Sequence, residues 1–408
     1  MTDRRRAWGS GPTDRYETLA ARFRPIFAEI AAGAVERERG RIPLHEPIGL
    51  LKRAGFGALR VSEAEGGAGA TAPELFALLI ELSEADSNVT QALRAHFGTA
   101  EDVVGSPDPA LRARNVARLV RGEIFGGAWT EVGTAVQSGF STTVRPVDGR
   151  LALTGRKYYT TGSLYADWID VGASDADGRD VGVIVPAGAP GVEIVDDWDG
   201  FGQTLTASGT GIFTGVSVDP ADVVLSEEKL RYGAAFYQLV HLATIAGIGR
   251  AIARDVAAAV AERRRSFTNA AAARPAEDPQ VLQVVGEIRG RAYSAGAIVL
   301  KAAEAVELAA RTRRGGDIAA DDEANLLAEL ETAQAQNTVI DLVVASAGRL
   351  FDALGASSTR QGLALDRHWR NARTLASHNP RIYKERIVGD YAVNGTPPPY
   401  QWRIGLPG

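Results

Sequence analysis

Leu153-Thr154-Gly155-Arg156-Lys157-Tyr158-Tyr159-Thr160-Thr161-Gly162 lies at the centre of a zone unlike the rest of the chain. It continues the alternating stretch Leu151-Ala152-Leu153-Thr154. Similar short alternating or β-branched runs flank it, among them Ser141-Thr142-Thr143-Val144, Trp168-Ile169-Asp170-Val171, Val181-Gly182-Val183-Ile184-Val185 and Val216-Ser217-Val218. Turn signals at Asp148-Gly149, Asp177-Gly178 and Pro186 separate them. Strands spaced this way, without helical stretches between them, predict an antiparallel sheet or small barrel from about Glu123 to Val224.

On either side the apolar period is that of a helix. From Tyr16 to Arg121 residues such as Leu19, Phe23, Ile26, Phe27 and Ile30 recur at helical spacing, with a loop at Gly66-Gly67-Ala68-Gly69. From Glu227 to His378 the chain is Ala-rich and helical again. Leu239, Ile245, Ile248 and Ile252 mark one long helix, Val281 to Leu308 a second and Ala324 to Leu350 a third, with a fourth expected over Leu363 to Ala376. Short connections between long helices predict an antiparallel four-helix bundle. The expected layout is mainly α with a central β-domain: an N-terminal helical domain over 1–122, an antiparallel β-barrel over 123–226, and a helical bundle with an extended tail over 227–408.

The 408 residues contain no cysteine and five histidines, and the net charge is -5. Without sulfur there is no disulfide, no cysteine nucleophile and no thiolate metal site. The negative charge argues against a nucleic-acid partner. No apolar run approaches the ~20 residues of a membrane span. The basic start, Met1-Thr2-Asp3-Arg4-Arg5-Arg6, lacks the apolar core of a signal peptide and reads as a tail, so a cytoplasmic protein is expected. The histidines show no metal-ligand spacing, and G-x-G-x-x-G after a strand, a Walker loop and G-x-S-x-G are all missing. Catalysis then falls to His, carboxylates, hydroxyls, Lys or a bound cofactor.

Gly126-Gly127-Ala128-Trp129-Thr130-Glu131, followed about 25 residues later by the Leu153–Gly162 run, resembles paired segments of the acyl-CoA dehydrogenase superfamily. There a T-E and a G-x-K-x-[aromatic]-x-[TS] wrap a flavin ring. The helix–barrel–bundle order is similar to that fold as well. The resemblance implies that Trp129 and Thr130 line the flavin, that Tyr159 packs its ring, and that Thr161 reaches its polar edge. A flat apolar plate with a polar rim needs such a wall and such donors. Arg264-Arg265-Ser266-Phe267 resembles the family's R-x-x-F, whose arginine meets flavin phosphate across a subunit boundary; Thr268 replaces the usual glycine, and a solvated basic helix end fits these residues too. Gly355-Ala356-Ser357-Ser358 is a second candidate phosphate contact, through Gly355 and Ser357.

An acyl-CoA dehydrogenase needs a carboxylate base near the end of the bundle. The corresponding stretch, Trp369-Arg370-Asn371-Ala372-Arg373-Thr374-Leu375-Ala376-Ser377-His378-Asn379-Pro380, holds no acid, and the next, Glu385, stands in a different context. The segment instead resembles the branch of two-component flavin monooxygenases typified by dibenzothiophene monooxygenase, as do Gly202–Thr210, Gly389–Gly395 and His96 in Arg94-Ala95-His96-Phe97. Leu375 departs from members that carry a second histidine there. This resemblance implies an enzyme that takes reduced FMN or FAD from a separate NAD(P)H:flavin reductase. With O2 as co-substrate it would form a C4a-hydroperoxide and oxygenate a small aromatic or heteroatom-containing molecule at sulfur, nitrogen or carbon. It also implies a homotetramer, with His378 and His96 as catalytic histidines facing each other across the flavin pocket. An acyl-CoA dehydrogenase-like flavoprotein with an atypical base is the alternative.

Overall fold

The structure, a computed structural model, describes residues 8–132 and 139–400, so the basic N-terminal run lies outside the described residues. Eight helices come first: α1 Tyr16–Ala21, α2 Arg24–Ala32, α3 Ala34–Gly40, α4 His45–Arg53, α5 Ala72–Ala85, α6 Ser87–Ala92, α7 Arg94–Val104 and α8 Pro109–Val120. The strands are β1 Phe125–Ala128, β2 Thr143–Val147, β3 Arg150–Lys157, β4 Trp168–Ser174, β5 Asp180–Pro186, β6 Val192–Val195, β7 Thr210–Val218 and β8 Val223–Leu225. Helices α9 Gly233–Glu262, α10 Pro279–Gly315, α11 Ile318–Leu354, α12 Arg367–Ala376 and α13 Arg381–Asn394 complete the chain.

Local chemistry sets where these helices begin. Thr71 and Glu74 form a reciprocal capping box at α5, with Pro73 in the first turn. Asp278 caps α10 ahead of Pro279, and Asp317 caps α11. Helix α9 is apolar around most of its circumference because it packs against α5, α10 and α11 at once. One continuous apolar core therefore runs through both helical regions, from Leu19 and Phe23 to Leu350 and Leu375. A second core, including Leu153, Val171, Val183, Phe213 and Val216, lies within the sheet.

Two expectations change. The sheet is open, with strand order β6-β7-β3-β2-β4-β5-β8 and β1 added in parallel to β4. Closing it would require the edges β6 and β8 to pair, and these strands have only four and three residues. The two halves of the sheet meet at a single parallel pair, Thr143 with Ser174. The bundle has three long helices, of 30, 37 and 37 residues; the expected fourth is the ten-residue α12. Gly355 and Ala364, both at positive φ, break the chain before it, and Pro380 separates it from α13. No helix among the described residues is long and apolar enough to cross a membrane.

Candidate active site

The sheet side of the site is built where β1 and β3 end. An isolated antiparallel bridge joins Thr130 to Tyr158, with the Tyr158 N–H donating to the Thr130 carbonyl at 2.9 Å. Beside it Lys157 and Glu131 form a buried ion pair, 2.6 Å apart. Glu131 also accepts from the backbone of Ser141 and Thr142 and from the Ser141 hydroxyl. Burial alone would raise the Glu131 carboxyl, but Lys157 and these donors hold it at about 2, while burial draws Lys157 down to about 8. The T-E and G-x-K signatures are thus two halves of one clamp.

Beyond the clamp the chain turns sharply. Tyr159 has φ of 60°, a left-handed conformation that costs a non-glycine residue about 1–2 kcal/mol. Its ring is half-exposed, edge-on to Tyr158 and Trp198. Thr161 shares a 2.7 Å hydroxyl bond with Ser208, which in turn bonds Thr206. Gly162 is obligatory: with φ of 78°, its Cβ would meet the Ala92 carbonyl oxygen at 1.9 Å. The turn is therefore pressed onto the end of α6. Around it Thr90 Oγ1, Gln91 Oε1 and Gln203 Oε1 are buried without a partner, and Gln203 and Ala207 are also left-handed. Strain and unpaired polar atoms gathered in one place mark a ligand site.

The helical side brings α7, α9 and the α12–α13 turn together. The rings of His241 and His378 stand 4.3 Å apart between centroids, tilted by 45°. His241 is fully buried and neither of its nitrogens has a partner. His378 is solvent-accessible although protein surrounds it, as suits a cleft wall, and its Nδ1 lies 3.2 Å from the Asn379 amide oxygen. Asn379 donates to Gln238 at 2.5 Å, which fixes the turn against α9. Arg94 opens α7, and its Nε donates to the Tyr237 carbonyl at 3.2 Å while its guanidinium lies over the Tyr237 ring. Gly98 makes this possible, since a Cβ there would overlap the Tyr237 ring. Burial and the Arg94 charge push both imidazoles below their ordinary value, so both are neutral at physiological pH.

The remaining predicted residues are placed as follows. His96 is fully buried; its Nε2 lies 3.0 Å from the Gly57 carbonyl, and its Nδ1 accepts from the Phe125 N–H at 3.2 Å. That makes it a neutral imidazole, held at about 4 chiefly by burial, with both nitrogens engaged by backbone. The Trp129 indole is turned onto β4, donating to Asp170 at 3.1 Å beneath Lys229. Arg264 and Ser357 are exposed beyond the ends of α9 and α11. It is Arg263 that reaches the Gly355 turn, where it donates to the Leu354 carbonyl. Sequence reasoning missed Arg94, Tyr237 and His241; the one local sign of His241 is a lone ionisable group in an apolar helix stretch. Among the described residues no cluster of three or more His, Asp or Glu side chains could hold a metal ion.

A strained turn and a hydroxyl chain on one side, with neutral imidazoles and a cation on the other, suit a flat redox cofactor and a small substrate better than a carboxylate-base dehydrogenation. Two family descriptions match: acyl-CoA dehydrogenase, N-terminal domain, over 13–123, and acyl-CoA dehydrogenase, C-terminal domain, over 239–380. The chain is 28% identical over 384 residues to SfnC of Pseudomonas putida, named a probable FMNH2-dependent monooxygenase, covering 92% of this chain and 94% of that one. It is 27% identical over 378 residues to dibenzothiophene monooxygenase of Mycolicibacterium goodii, covering 88% and 90%. The crystal structure of TdsC from Paenibacillus sp. A11-2 with FMN and indole superposes with a TM-score of 0.84 at 26% identity, over 95% of this chain and 98% of that one. With the two descriptions falling on either side of the sheet and these relatives spanning it, the chain belongs to the acyl-CoA dehydrogenase superfamily, in its branch of flavin-dependent monooxygenases.

Proposed function

We propose that this chain is the oxygenase of a two-component system, receiving reduced FMN from a separate NAD(P)H:flavin reductase, inserting one atom of O2 into a small molecule and releasing the other as water. The observation that carries this reading is the contact of His378 with His241, two neutral imidazoles beside the segment that supplies a carboxylate in a dehydrogenase. Reduced flavin, when bound, supplies the electrons that activate O2. The strained Tyr159 and the Thr130 bridge would wall its ring, and the Thr161–Ser208–Thr206 hydroxyls would meet its polar edge. Arg263 at the Gly355 turn, with Arg264 and Ser357 nearby in sequence, is the candidate phosphate end. FMN is favoured over FAD because FMN appears with the relatives named above.

In this reading His378 is the catalytic histidine. Its accessible ring can hold or pass a proton at the reacting end of the flavin, and Asn379 keeps that ring in place through Gln238. His96 and Trp129 support the site from behind, through backbone and Asp170 respectively. Exposed apolar side chains along the bundle, Leu282 and Tyr293 on α10 and Ile382, Tyr383 and Val393 on α13, support a homotetramer that would bury them. A cytoplasmic location fits this dependence on a soluble reductase.

The test supplies FMN, NADH and a flavin reductase under isotopically labelled O2, with sulfides, amines and phenols as substrates. One labelled oxygen atom in a product, formed only with reduced flavin, is the expected result. Reduction of bound flavin by an acyl-CoA without O2 would overturn the reading in favour of a dehydrogenase.

A further inference from the structure

Arg94 stands apart from comparable arginines of this protein. Arg60 meets Glu101 and Glu307 at 2.8 and 3.0 Å, Arg118 meets Asp222 at 3.0 Å, and Arg367 meets Asp255 at 2.7 Å. Arg94 has no carboxylate partner among the described residues. Its protein contacts are the Tyr237 carbonyl and ring, both electrically neutral. The internal stretch outside the description, Gly133 to Ser138, contains no acid that could serve. Arg94 is half-buried, and a cation partly withdrawn from water without a counter-charge keeps an uncompensated desolvation cost that a guanidinium does not escape by losing its proton.

The surroundings add positive potential instead of relieving it. Arg94 is the first residue of α7, an 11-residue helix whose first turn carries no acid and whose cap residue, Leu93, offers no side-chain bond. The free N–H groups of that turn reinforce the cation. One helical turn along α9 from the Tyr237 that Arg94 touches, His241 is fully buried with two unpartnered nitrogens, and its ring neighbour His378 is accessible. An imidazole N–H wants an acceptor, the guanidinium wants an anion, and one group satisfies both: a planar or pyramidal oxyanion.

We infer that the substrate binds as a small organic anion, its carboxylate or sulfinate head paired with Arg94 and hydrogen-bonded to the His241–His378 edge. This rests on the monooxygenase reading only for the word substrate; the anion subsite stands on the geometry. It also makes Arg94 the residue that separates this chain's substrate from neutral polycyclic molecules, since an uncharged ring would leave the guanidinium unpaired.

Binding of benzoate and benzenesulfinate, against their neutral matches benzamide and methyl phenyl sulfoxide, is measured by calorimetry on the full chain loaded with FMN. The acids are expected to bind at least roughly tenfold more tightly than the neutral pair. Arg94→Gln should abolish that preference, Arg94→Lys should keep part of it, and FMN affinity should change by less than about twofold in either variant. Equal binding of acids and neutrals by the unaltered protein overturns the proposal, whatever the variants do to folding. So does an Arg94→Gln loss that falls on oxidised or reduced FMN while the acid preference survives, because Arg94 then answers the flavin's charge. If the unaltered protein binds no flavin, the acid preference is read on the flavin-free chain, so failure of the monooxygenase reading remains separate from failure of the anion subsite.

Discussion

His96 and the His241–His378 pair both place imidazole inside the protein, with opposite bookkeeping. His96 gives one nitrogen to the Gly57 carbonyl and takes the Phe125 N–H on the other, so nothing is left to offer a ligand. His241 is just as buried but has neither nitrogen engaged, and its neighbour His378 reaches solvent. A satisfied buried ring binds elements together, here α7 to β1; an unsatisfied one is a standing cost that a ligand or a bound water relieves. Burial alone would have ranked the two alike. In the proposed reading, the comparison puts chemistry on the α9 and α12–α13 side and gives His96 a scaffolding role.

The largest expected effect breaks the cleft side. His378→Phe should lower oxygenation per enzyme by about 10²–10⁴-fold, the range for a lost proton-transfer group, with FMN affinity and thermal midpoint nearly unchanged. Labelled-oxygen product and peroxide release are measured together. Full oxygenation by the variant would remove His378 from the chemistry.

His96→Leu should do the reverse. It strands the Gly57 carbonyl and the Phe125 N–H, two buried backbone groups worth about 1–3 kcal/mol each, so unfolding free energy falls while oxygenation per folded molecule persists. A stable but inactive variant would put His96 back among the catalytic groups. The pH profile gives an independent check. His96 titrates near 4 when folded and near 6.5 when unfolded, so the unfolded chain takes up the proton first. Its contribution is fully present above pH 6.5 and is lost as pH falls towards 4, about 3 kcal/mol in all. Denaturant titrations across that window should show this slope in the unaltered protein, and a correspondingly shallower one in His96→Leu.

How much of this could be read from sequence follows from what is local. Helix–sheet–helix order needs only short-range period, so the runs around Leu19, Leu153 and Ile245 were sufficient. Closure of the sheet depends on whether β6 and β8 find each other, which no single strand encodes. The fourth helix, expected over Leu363 to Ala376, forms over Arg367–Ala376: the positive φ of Ala364 delays its start, and its ten residues leave it much shorter than the three long bundle helices. Glu131 and Lys157 were visible as motif residues, yet their pairing is a contact 26 residues apart. His378 was legible because its whole neighbourhood resembles a family segment. His241 and Arg94 were not: Arg94 stood in the Arg94-Ala95-His96-Phe97 stretch only as a neighbour of His96, and each acquires meaning only when α9, α7 and the α12–α13 turn converge.

A smaller effect sharpens the orphan side by its sign. His241→Leu removes two unpaired buried nitrogens and adds apolar contact, so stability should rise by about 1 kcal/mol while oxygenation falls. Thermal midpoint and turnover are compared on the same preparation. A variant less stable than the parent, with turnover intact, would mean that His241 is held by contacts of the His96 kind, and the contrast would collapse.

The smallest effect concerns the strained turn on the facing wall. Tyr159 holds a left-handed backbone at φ of 60° with its ring half-exposed, so little packing offsets the strain. Replacing it by glycine relieves the conformation but loses the ring; replacing it by alanine loses the ring and keeps the strain. Tyr159→Gly should therefore be more stable than Tyr159→Ala by about 1 kcal/mol, and this difference isolates the backbone term from the side chain. Both should weaken FMN binding by a similar factor, roughly tenfold, if the ring is what the flavin meets. Equal stability of the two variants would show that the turn is unstrained. A turn held under strain with unchanged FMN affinity would move the flavin wall away from Tyr159 and onto the Thr130 bridge.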